Sequence, residues 1–251
     1  MRLPVRRLAA IPLGLALLLA LGVAAASAQA QARITVLAAS SLTDVLPRID
    51  AAPRYSFGGS DTLAAQVRLG APADVFASAN TKLPDALYAE GLVEKPRVFT
   101  ANRLVLIVPR ANPARITGVA DLKRRGVKLV VGGESVPVGA YTRKALAHLG
   151  LSSVLANAVS EETEVRSISG KVALGEADAG FVYATDAQAA GAKVRVIELP
   201  AKAQPVVRYA IAVVKGSAHR ADAAAFVQRV LSKRGQAALA AAGFTAPPAG
   251  S

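Results

Sequence analysis

Short apolar runs alternate with amphipathic stretches along most of the chain. Runs rich in Val, Ile and Leu are typical of buried strands, whereas apolar residues three and four positions apart indicate helices that cover a sheet. The pattern predicts strands at 34–38, 54–57, 75–77, 104–108, 128–131, 180–183, 194–197 and 207–214. It predicts helices at 41–49, 62–69, 83–89, 140–149, 165–174, 221–231 and 233–241. This alternation is typical of an α/β protein with mainly parallel sheets, whose functional loops follow the carboxyl ends of strands.

Two long apolar strands, at 103–109 and 206–214, divide this pattern. If both cross one boundary, residues 31–104 together with 211–251 form a discontinuous lobe, and 105–210 form a second, continuous lobe. The two crossing strands would then act as a hinge, with the ligand site in the cleft between the lobes. The alternative is a single continuous domain without a hinge.

The first thirty residues differ in character from the rest. Three arginines precede an apolar run at 8–23, and the Ala-Ser-Ala at 26–28 fits a cleavage site. These features predict a secretory signal peptide at 1–30 and a mature protein in the periplasm or outside the cell. A retained membrane anchor is the alternative, but the apolar run is near the short limit for a spanning helix.

The composition fits a helix-covered sheet protein without disulfides. Of the 251 residues 53% are hydrophobic but only 4% are aromatic, and the chain contains no cysteine. Helices packed on parallel strands have this bias toward Ala, Val and Leu. An exported chain of this size without cysteine has to rely on its apolar core for stability.

The net charge is +13, and about +10 remains without the three arginines of the predicted signal peptide. Such a charge suits nucleic-acid binding. However, the basic residues are scattered, their longest run is only Lys123-Arg124-Arg125, and no aromatic residues are interleaved with them. We therefore expect no nucleic-acid partner, and instead a diffuse positive field that attracts small anions or simply solvates the surface.

Small and hydroxyl residues stand where predicted strands pass into helices. Ser41 directly follows the first strand and is spaced as a helix N-cap, with Asp44 as a partial capping box. Ser60 repeats this arrangement after Gly58-Gly59. The first turn of a helix has unpaired N–H groups and a partial positive charge, so these positions suit an oxyanion. Each serine taken alone also fits ordinary capping.

Three further positions add donors. Pro137-Val138-Gly139 leads into a helix and exposes backbone N–H groups, Val165 opens another helix, and Tyr183 ends a buried strand. Taken alone, the 137–139 segment is better explained by an ordinary helix entry, and Tyr183 by packing with a solvated hydroxyl. Together they predict a site of neutral donors that needs no cation. Such a site favours a fully deprotonated anion, because a proton on the ligand would meet a donor.

These segments, together with 70–79 and 175–180, resemble the ModA family of periplasmic molybdate-binding proteins. The resemblance runs from about residue 34 to the end of the chain and includes VPxGxY at 136–141 and GxVYxTDA at 180–187. It implies a two-lobed periplasmic binding protein of type II. It further implies that molybdate or tungstate is held by hydrogen bonds alone, without a cofactor or a direct protein–metal ligand. The partner would be the permease of an ABC transporter.

The family's ligand positions fall on five residues of this sequence, which are Ser41, Ser60, Val138, Val165 and Tyr183. Val138 departs from many relatives, which have Ala, and its larger side chain could narrow the cleft.

Two other departures concern the chain near the site. The first crossover, from residue 41 to residue 54, is shorter than in many relatives, so its helix must be brief. The sequence around Tyr209 lacks the usual Tyr-Pro, which we expect to alter the hinge without touching the ligand.

Two other functions fit parts of the sequence. A binding protein for sulfate, phosphate or an organic anion would share the fold and the neutral donors. A secreted hydrolase would need a catalytic base, and the chain offers only His148 and His219. It also lacks a G-x-S-x-G elbow, so we expect a binding protein and not an enzyme. We expect a monomer, because an open cleft has to meet a membrane partner.

Overall fold

The computed structural model describes residues 33–247, so the predicted signal peptide lies outside the described residues. Residues 33–247 contain ten strands and eight α-helices. The strands are β1 (Thr35–Ala39), β2 (Arg54–Gly58), β3 (Val75–Ser78), β4 (Arg97–Asn102), β5 (Leu104–Pro109), β6 (Leu129–Gly132), β7 (Ala158–Glu162), β8 (Ala179–Tyr183), β9 (Val194–Glu198) and β10 (Val207–Val213). The helices are α1 (Leu46–Ile49), α2 (Ser60–Arg68), α3 (Lys82–Ala89), α4 (Pro137–His148), α5 (Val165–Ala173), α6 (Ala184–Ala190), α7 (Arg220–Leu231) and α8 (Lys233–Ala241).

Two five-stranded sheets hold these strands. The first has the order β2-β1-β3-β10-β4 and the second the order β7-β6-β8-β5-β9. β10 runs against its neighbours in the first sheet, and β5 does so in the second. The predicted α/β architecture with two sheets is therefore confirmed, and each mainly parallel sheet contains one strand that runs antiparallel to its neighbours.

These antiparallel strands arise where the chain passes between the sheets. β4 of the first sheet continues into β5 of the second through Arg103 alone, and the chain returns from β9 to β10 through residues 199–206. Gln204 joins the two crossings, because its Nε2 donates to the Leu104 carbonyl at 2.8 Å and its Oε1 accepts from the Leu104 N–H at 3.2 Å. β10 lies wholly in the first sheet, so the predicted lobe boundary between 210 and 211 falls inside this strand.

Three elements were missing from the sequence prediction. β7 reads Ala-Val-Ser-Glu-Glu, lies at the edge of the second sheet and is partly exposed, so it has no continuous apolar run. β4 mixes Arg and Thr with its apolar positions. α6 has only seven residues, which is too short for a clear helical period.

The predicted helix at 41–49 was wrong. The chain instead forms a 3₁₀ turn at Ser40–Leu42 and then the single-turn helix α1. Pro47 explains the break, because proline has no N–H and its ring clashes with the carbonyl four residues earlier. In α1 the proline lies in the first turn, where no intrahelical donor is needed. The first crossover helix is thus as brief as the sequence required.

The centre of each sheet is covered on both faces. Every residue of β5 and β8 is buried, as expected of strands between two helical layers. The parallel strands β1, β2 and β3 end at one edge of the first sheet. β6, β7 and β8 do the same in the second sheet. The predicted site residues lie at or shortly after the ends of five of these strands, which are β1, β2, β6, β7 and β8.

Candidate functional site

A cavity lies between the two sets of strand ends. Its enclosed volume is about 10 Å³, or about 210 Å³ when the space open to solvent is counted. The walls contain all five residues that the sequence predicted as ligands, which are Ser41, Ser60, Val138, Val165 and Tyr183. The rest of the wall is formed by Ala39, Ser40, Gly58, Gly59, Ala79, Val136, Pro137 and Glu164. Both sheets therefore contribute to one cavity.

The two serines present buried hydroxyls, but neither caps a helix. Ser41 lies inside the 3₁₀ turn, and no side chain caps that turn, so the predicted capping box with Asp44 was wrong. Ser60 is the first residue of α2, with Gly59 at the N-cap. The Ser60 Oγ accepts a hydrogen bond from the Ala79 N–H at 3.1 Å. Because a hydroxyl has one hydrogen, Ser60 remains free to donate that hydrogen to another acceptor.

The second sheet contributes two helix starts. Val138 is the second residue of α4 and Val165 is the first residue of α5. Neither N–H therefore has a carbonyl partner four residues earlier within its own helix. α2 also starts at the cavity, so three helices direct their positive ends toward it. This arrangement is well suited to an anion.

Tyr183 ends β8 with its ring almost fully buried. Within the described residues, its hydroxyl has no hydrogen-bond partner. Burial, with smaller contributions from Tyr209 and Tyr141, raises the pKa of Tyr183 well above its usual value. The hydroxyl therefore stays protonated at neutral pH and can act as a donor.

The cavity wall carries no basic side chain: none of its residues is Lys, Arg or His. The one charged residue in its wall is the acidic Glu164, so attraction for an anion has to come from the helix starts and from neutral donors. Within residues 33–247, no group of three or more acidic or histidine side chains is arranged to hold a metal ion. In the same range, no helix has both the length and the apolar character needed to cross a membrane.

The two sides of the cleft touch each other beside the cavity. The Ser135 Oγ donates to Asp61 Oδ2 at 2.6 Å, and Arg166 forms an ion pair with Asp44. Gly59 lies so close to the opposite backbone that a Cβ on it would be 2.1 Å from the Thr163 carbonyl oxygen. The cleft is therefore closed.

Comparison with known proteins places the chain in a family. The sequence-family model of the bacterial extracellular solute-binding proteins matches residues 34–245. The molybdate-binding protein ModA of Mycobacterium tuberculosis is 38% identical over 224 residues, which cover 85% of this chain and 85% of that protein. The chain belongs to the ModA family. Members of this family are solute-binding proteins, so this ModA-family chain is not an enzyme.

Solved structures agree with the fold. The periplasmic molybdate-binding protein of Azotobacter vinelandii has a TM-score of 0.77 at 24% identity, covering 86% of this chain and 100% of that one. The sulfate-binding protein SubI of M. tuberculosis has a TM-score of 0.72 at 21% identity, covering 84% and 86%. The predicted type II periplasmic binding protein fold is thus confirmed for this ModA-family chain, while the fold alone does not distinguish between oxyanions.

The ModA-family chain accommodates the valine at position 138 beside a glycine. A Cβ on Gly132 would lie 2.8 Å from Cγ1 of Val138, so the missing side chain at 132 gives the valine room. The larger residue therefore packs partly against the end of β6.

Tyr209 was missed as a site residue. The sequence suggested that its surroundings would affect only the hinge, but its Oη lies 2.9 Å from Ser41 Oγ. The two histidines are elsewhere: His148 is exposed at the end of α4, His219 precedes α7, and neither lines the cavity. No sequence spacing could have indicated Tyr209, because it is 168 positions from Ser41.

Proposed function

We propose that this protein binds molybdate in the cavity between its lobes and delivers it to the permease of an ABC transporter. Tungstate has nearly the same size and charge, so it should bind as well. The ligand residues would be Ser41, Ser60, Val138, Val165 and Tyr183. The names of the similar proteins support molybdate, and the neutral donor wall supports an oxyanion.

The unpaired hydroxyl of Tyr183 carries this proposal. A buried hydroxyl without a hydrogen-bond partner costs about 1–3 kcal/mol of free energy. Any ligand that accepts the Tyr183 hydrogen removes this cost. Ser60 already accepts from Ala79 and likewise has a hydrogen to donate. A fully deprotonated anion satisfies both donors. A protonated phosphate would bring its own hydrogen against them, so phosphate should bind poorly.

The lobes are proposed to close around the anion like a hinge. We propose the two lobes that the sequence predicts, 31–104 with 211–251 and 105–210, except that β10 belongs wholly to the first lobe, which moves the second boundary to the crossing at 199–206. This crossing and the one at 103 would bend. An anion that contacts donors from both sheets stabilises the closed form, because only that form makes all the contacts. The permease would recognise this closed form in the periplasm, after removal of the signal peptide at 1–30.

The decisive experiment is isothermal titration calorimetry of the ligand-stripped mature chain with molybdate, tungstate, sulfate and phosphate. We expect one-to-one binding of molybdate and tungstate, with no heat from sulfate or phosphate. Binding of sulfate alone would keep the fold and the closure but make the protein a sulfate-binding protein. No binding of any of the four would refute the proposal.

Ser41→Ala and Ser60→Ala test the site. Each removes one buried donor, and a loss of about 1–3 kcal/mol corresponds to roughly 5- to 150-fold weaker molybdate binding. Ser56→Ala is the matched control, because Ser56 is exposed on β2 and does not line the cavity. If both site variants bind molybdate as tightly as the parent, the site assignment is wrong.

A further inference from the structure

A chain of buried polar groups starts at Ser41, and its other members do not line the cavity. The Ser41 Oγ is 2.9 Å from Tyr209 Oη, and the same Oη is 3.5 Å from Asn102 Nδ2. Asn102 Nδ2 also donates to Thr185 Oγ1 at 2.9 Å. All four side chains belong to buried residues. Because they are largely shielded from bulk water, most of their donors and acceptors have to be matched to one another.

The chemistry of Asn102 sets the direction of this chain. The Arg103 N–H donates to Asn102 Oδ1 at 2.9 Å, which fixes the amide so that Nδ2 faces Thr185 and Tyr209. An amide nitrogen has two hydrogens and accepts none, so the Tyr209 oxygen accepts from Asn102. Tyr209 has one hydrogen of its own, and Ser41 Oγ is placed to accept it. The geometry of this contact allows either oxygen to donate. We assign Tyr209 as the donor, because Ser41 Oγ is an acceptor within reach of its hydrogen.

We infer that Tyr209 is a positioning residue, which holds the Ser41 hydroxyl so that its single hydrogen points into the cavity. This inference rests on the proposed function, in which Ser41 donates to molybdate. Burial raises the pKa of Tyr209 well above its usual value, so the phenol keeps the hydrogen that it donates. Without Tyr209, the Ser41 hydrogen would no longer be directed toward the anion.

Two features support this role. The ring of Tyr209 makes edge contacts with Phe99, Tyr183 and Phe244 at centroid distances of 6.2, 5.8 and 5.5 Å, so the hydroxyl is held in place. Ser60 has an equivalent donor behind it, because the Ala79 N–H donates to its Oγ. Each candidate ligand serine thus accepts one hydrogen bond from the protein. Ser41 accepts it from the Tyr209 side chain, and Ser60 accepts it from the Ala79 backbone N–H.

The test is a double-mutant cycle of Tyr209→Phe and Ser41→Ala, with molybdate affinity measured by calorimetry. Phenylalanine keeps the ring contacts and removes the hydroxyl. We expect Tyr209→Phe to weaken binding roughly tenfold in the parent. In the Ser41→Ala background, Tyr209→Phe should have almost no effect on affinity, because the Ser41 hydroxyl that Tyr209 positions is absent. A purely structural role would weaken binding by the same factor in both backgrounds, which would overturn the inference.

Tyr55→Phe is the matched control. Its hydroxyl donates to the backbone carbonyls of Leu46 and Asp50, away from the cavity, so its loss should leave affinity unchanged. If the parent fails to bind molybdate, or if Ser41→Ala binds as tightly as the parent, the proposed function or its site fails and this inference falls with it. If Ser41→Ala weakens binding but Tyr209→Phe does not, only this inference fails.

A second variant tests the same inference if Tyr209→Phe does not fold. Asn102→Asp replaces the donor that faces Tyr209 with an acceptor, so Tyr209 should donate to the carboxylate and accept from Ser41. The Ser41 hydrogen would then point away from the cavity. Repulsion between the new carboxylate and molybdate acts with or without the Ser41 hydroxyl. We therefore expect a larger loss of affinity in the parent than in the Ser41→Ala background, and equal losses would contradict the inference.

Discussion

The five candidate ligand residues offer hydrogen bonds without formal charge, but they do so in two ways. Ser41, Ser60 and Tyr183 use hydroxyls, which a substitution can delete. Val138 and Val165 use the backbone N–H, which nearly any residue supplies. The side chain at 138 can therefore differ from that of relatives without loss of the donor, provided that Gly132 leaves room for it.

Asp186 is a buried acid beside the site. It lies in the first turn of α6, and its side chain is fully buried. Arg166 Nε is 3.3 Å from Asp186 Oδ1. Burial, reinforced by Asp44 and opposed by Arg166, raises the pKa of Asp186 from 3.8 to about 7. The folded protein therefore holds a proton there that the unfolded chain releases at lower pH.

Asp186 should make the stability of the protein depend on pH. Between about pH 4 and pH 7 the folded state binds more protons at this residue than the unfolded state, so its contribution to stability falls as the pH rises through that window. Asp186→Asn stays neutral and should flatten the profile in urea-unfolding measurements. Asp85→Asn, at an exposed position of α3, is the control. An unchanged slope in Asp186→Asn would contradict the prediction.

The sequence identified the residues around the cavity better than it identified their contacts. Ser41 was placed at the correct strand end, but it was expected to cap a helix. Its actual partner, Tyr209, comes from β10, and the contact depends on how the whole first sheet is assembled. Local spacing can indicate a helix start or a strand end. It cannot indicate a contact that forms only after distant strands pair.

At the scale of elements, the site depends on how closely helix starts approach strand ends. Gly139, in the first turn of α4, lies against the end of β6: a Cβ on it would be 2.0 Å from the Gly133 carbonyl oxygen and 2.3 Å from that of Gly132. Only glycine allows this approach. The approach places the N–H of Val138 at the cavity.

Gly139→Ala should therefore destabilise the fold by roughly 1–3 kcal/mol, the usual cost of forcing an extra methyl group into a packed contact. Gly170→Ala is a matched control in α5, where a Cβ would meet nothing within 4 Å. That substitution should stabilise the protein by about 0.5–1 kcal/mol, because alanine is a better helix former than glycine. Urea unfolding measures both values. Equal effects of the two substitutions would show that the α4 contact is not tight.

The elements that the sequence predicted well have strong local signals. β5 and β10 are long apolar strands, and α4 begins at a proline and glycine. β7 and α6 have none of these features, because an edge strand can be polar and a seven-residue helix has less than two turns of pattern. Their positions follow from the sheet and not from their own residues.

At the scale of the whole molecule, the closed cleft brings two backbones together. Gly59 has φ −62° and ψ 132°, which alanine adopts without strain. Gly59→Ala should therefore leave each lobe folded. In the closed form, however, the new methyl group would collide with the Thr163 carbonyl of the opposite lobe.

We expect Gly59→Ala to weaken molybdate binding at least tenfold, because the energy of closure is lost while the donors remain. Small-angle scattering should show that molybdate no longer makes the variant more compact. Gly118→Ala is the control, because a Cβ at that extended position meets nothing within 4 Å. Affinity and compaction equal to those of the parent would show that the two backbones do not meet in the bound state.

The matching strand orders of the two sheets have a consequence for the shape of the ligand. β1 and β6 have the same place in their sheets, and they are followed by Ser41 and Val138 respectively. β2 and β7 also correspond, and the helices after them begin at Ser60 and Val165. Four of the five candidate donors thus correspond in two pairs across the cleft, and Tyr183 is the fifth. A tetrahedral anion has twofold axes that exchange its oxygens in pairs, so a symmetric anion can present the same face to either lobe. An elongated or one-sided ligand would match only one of them.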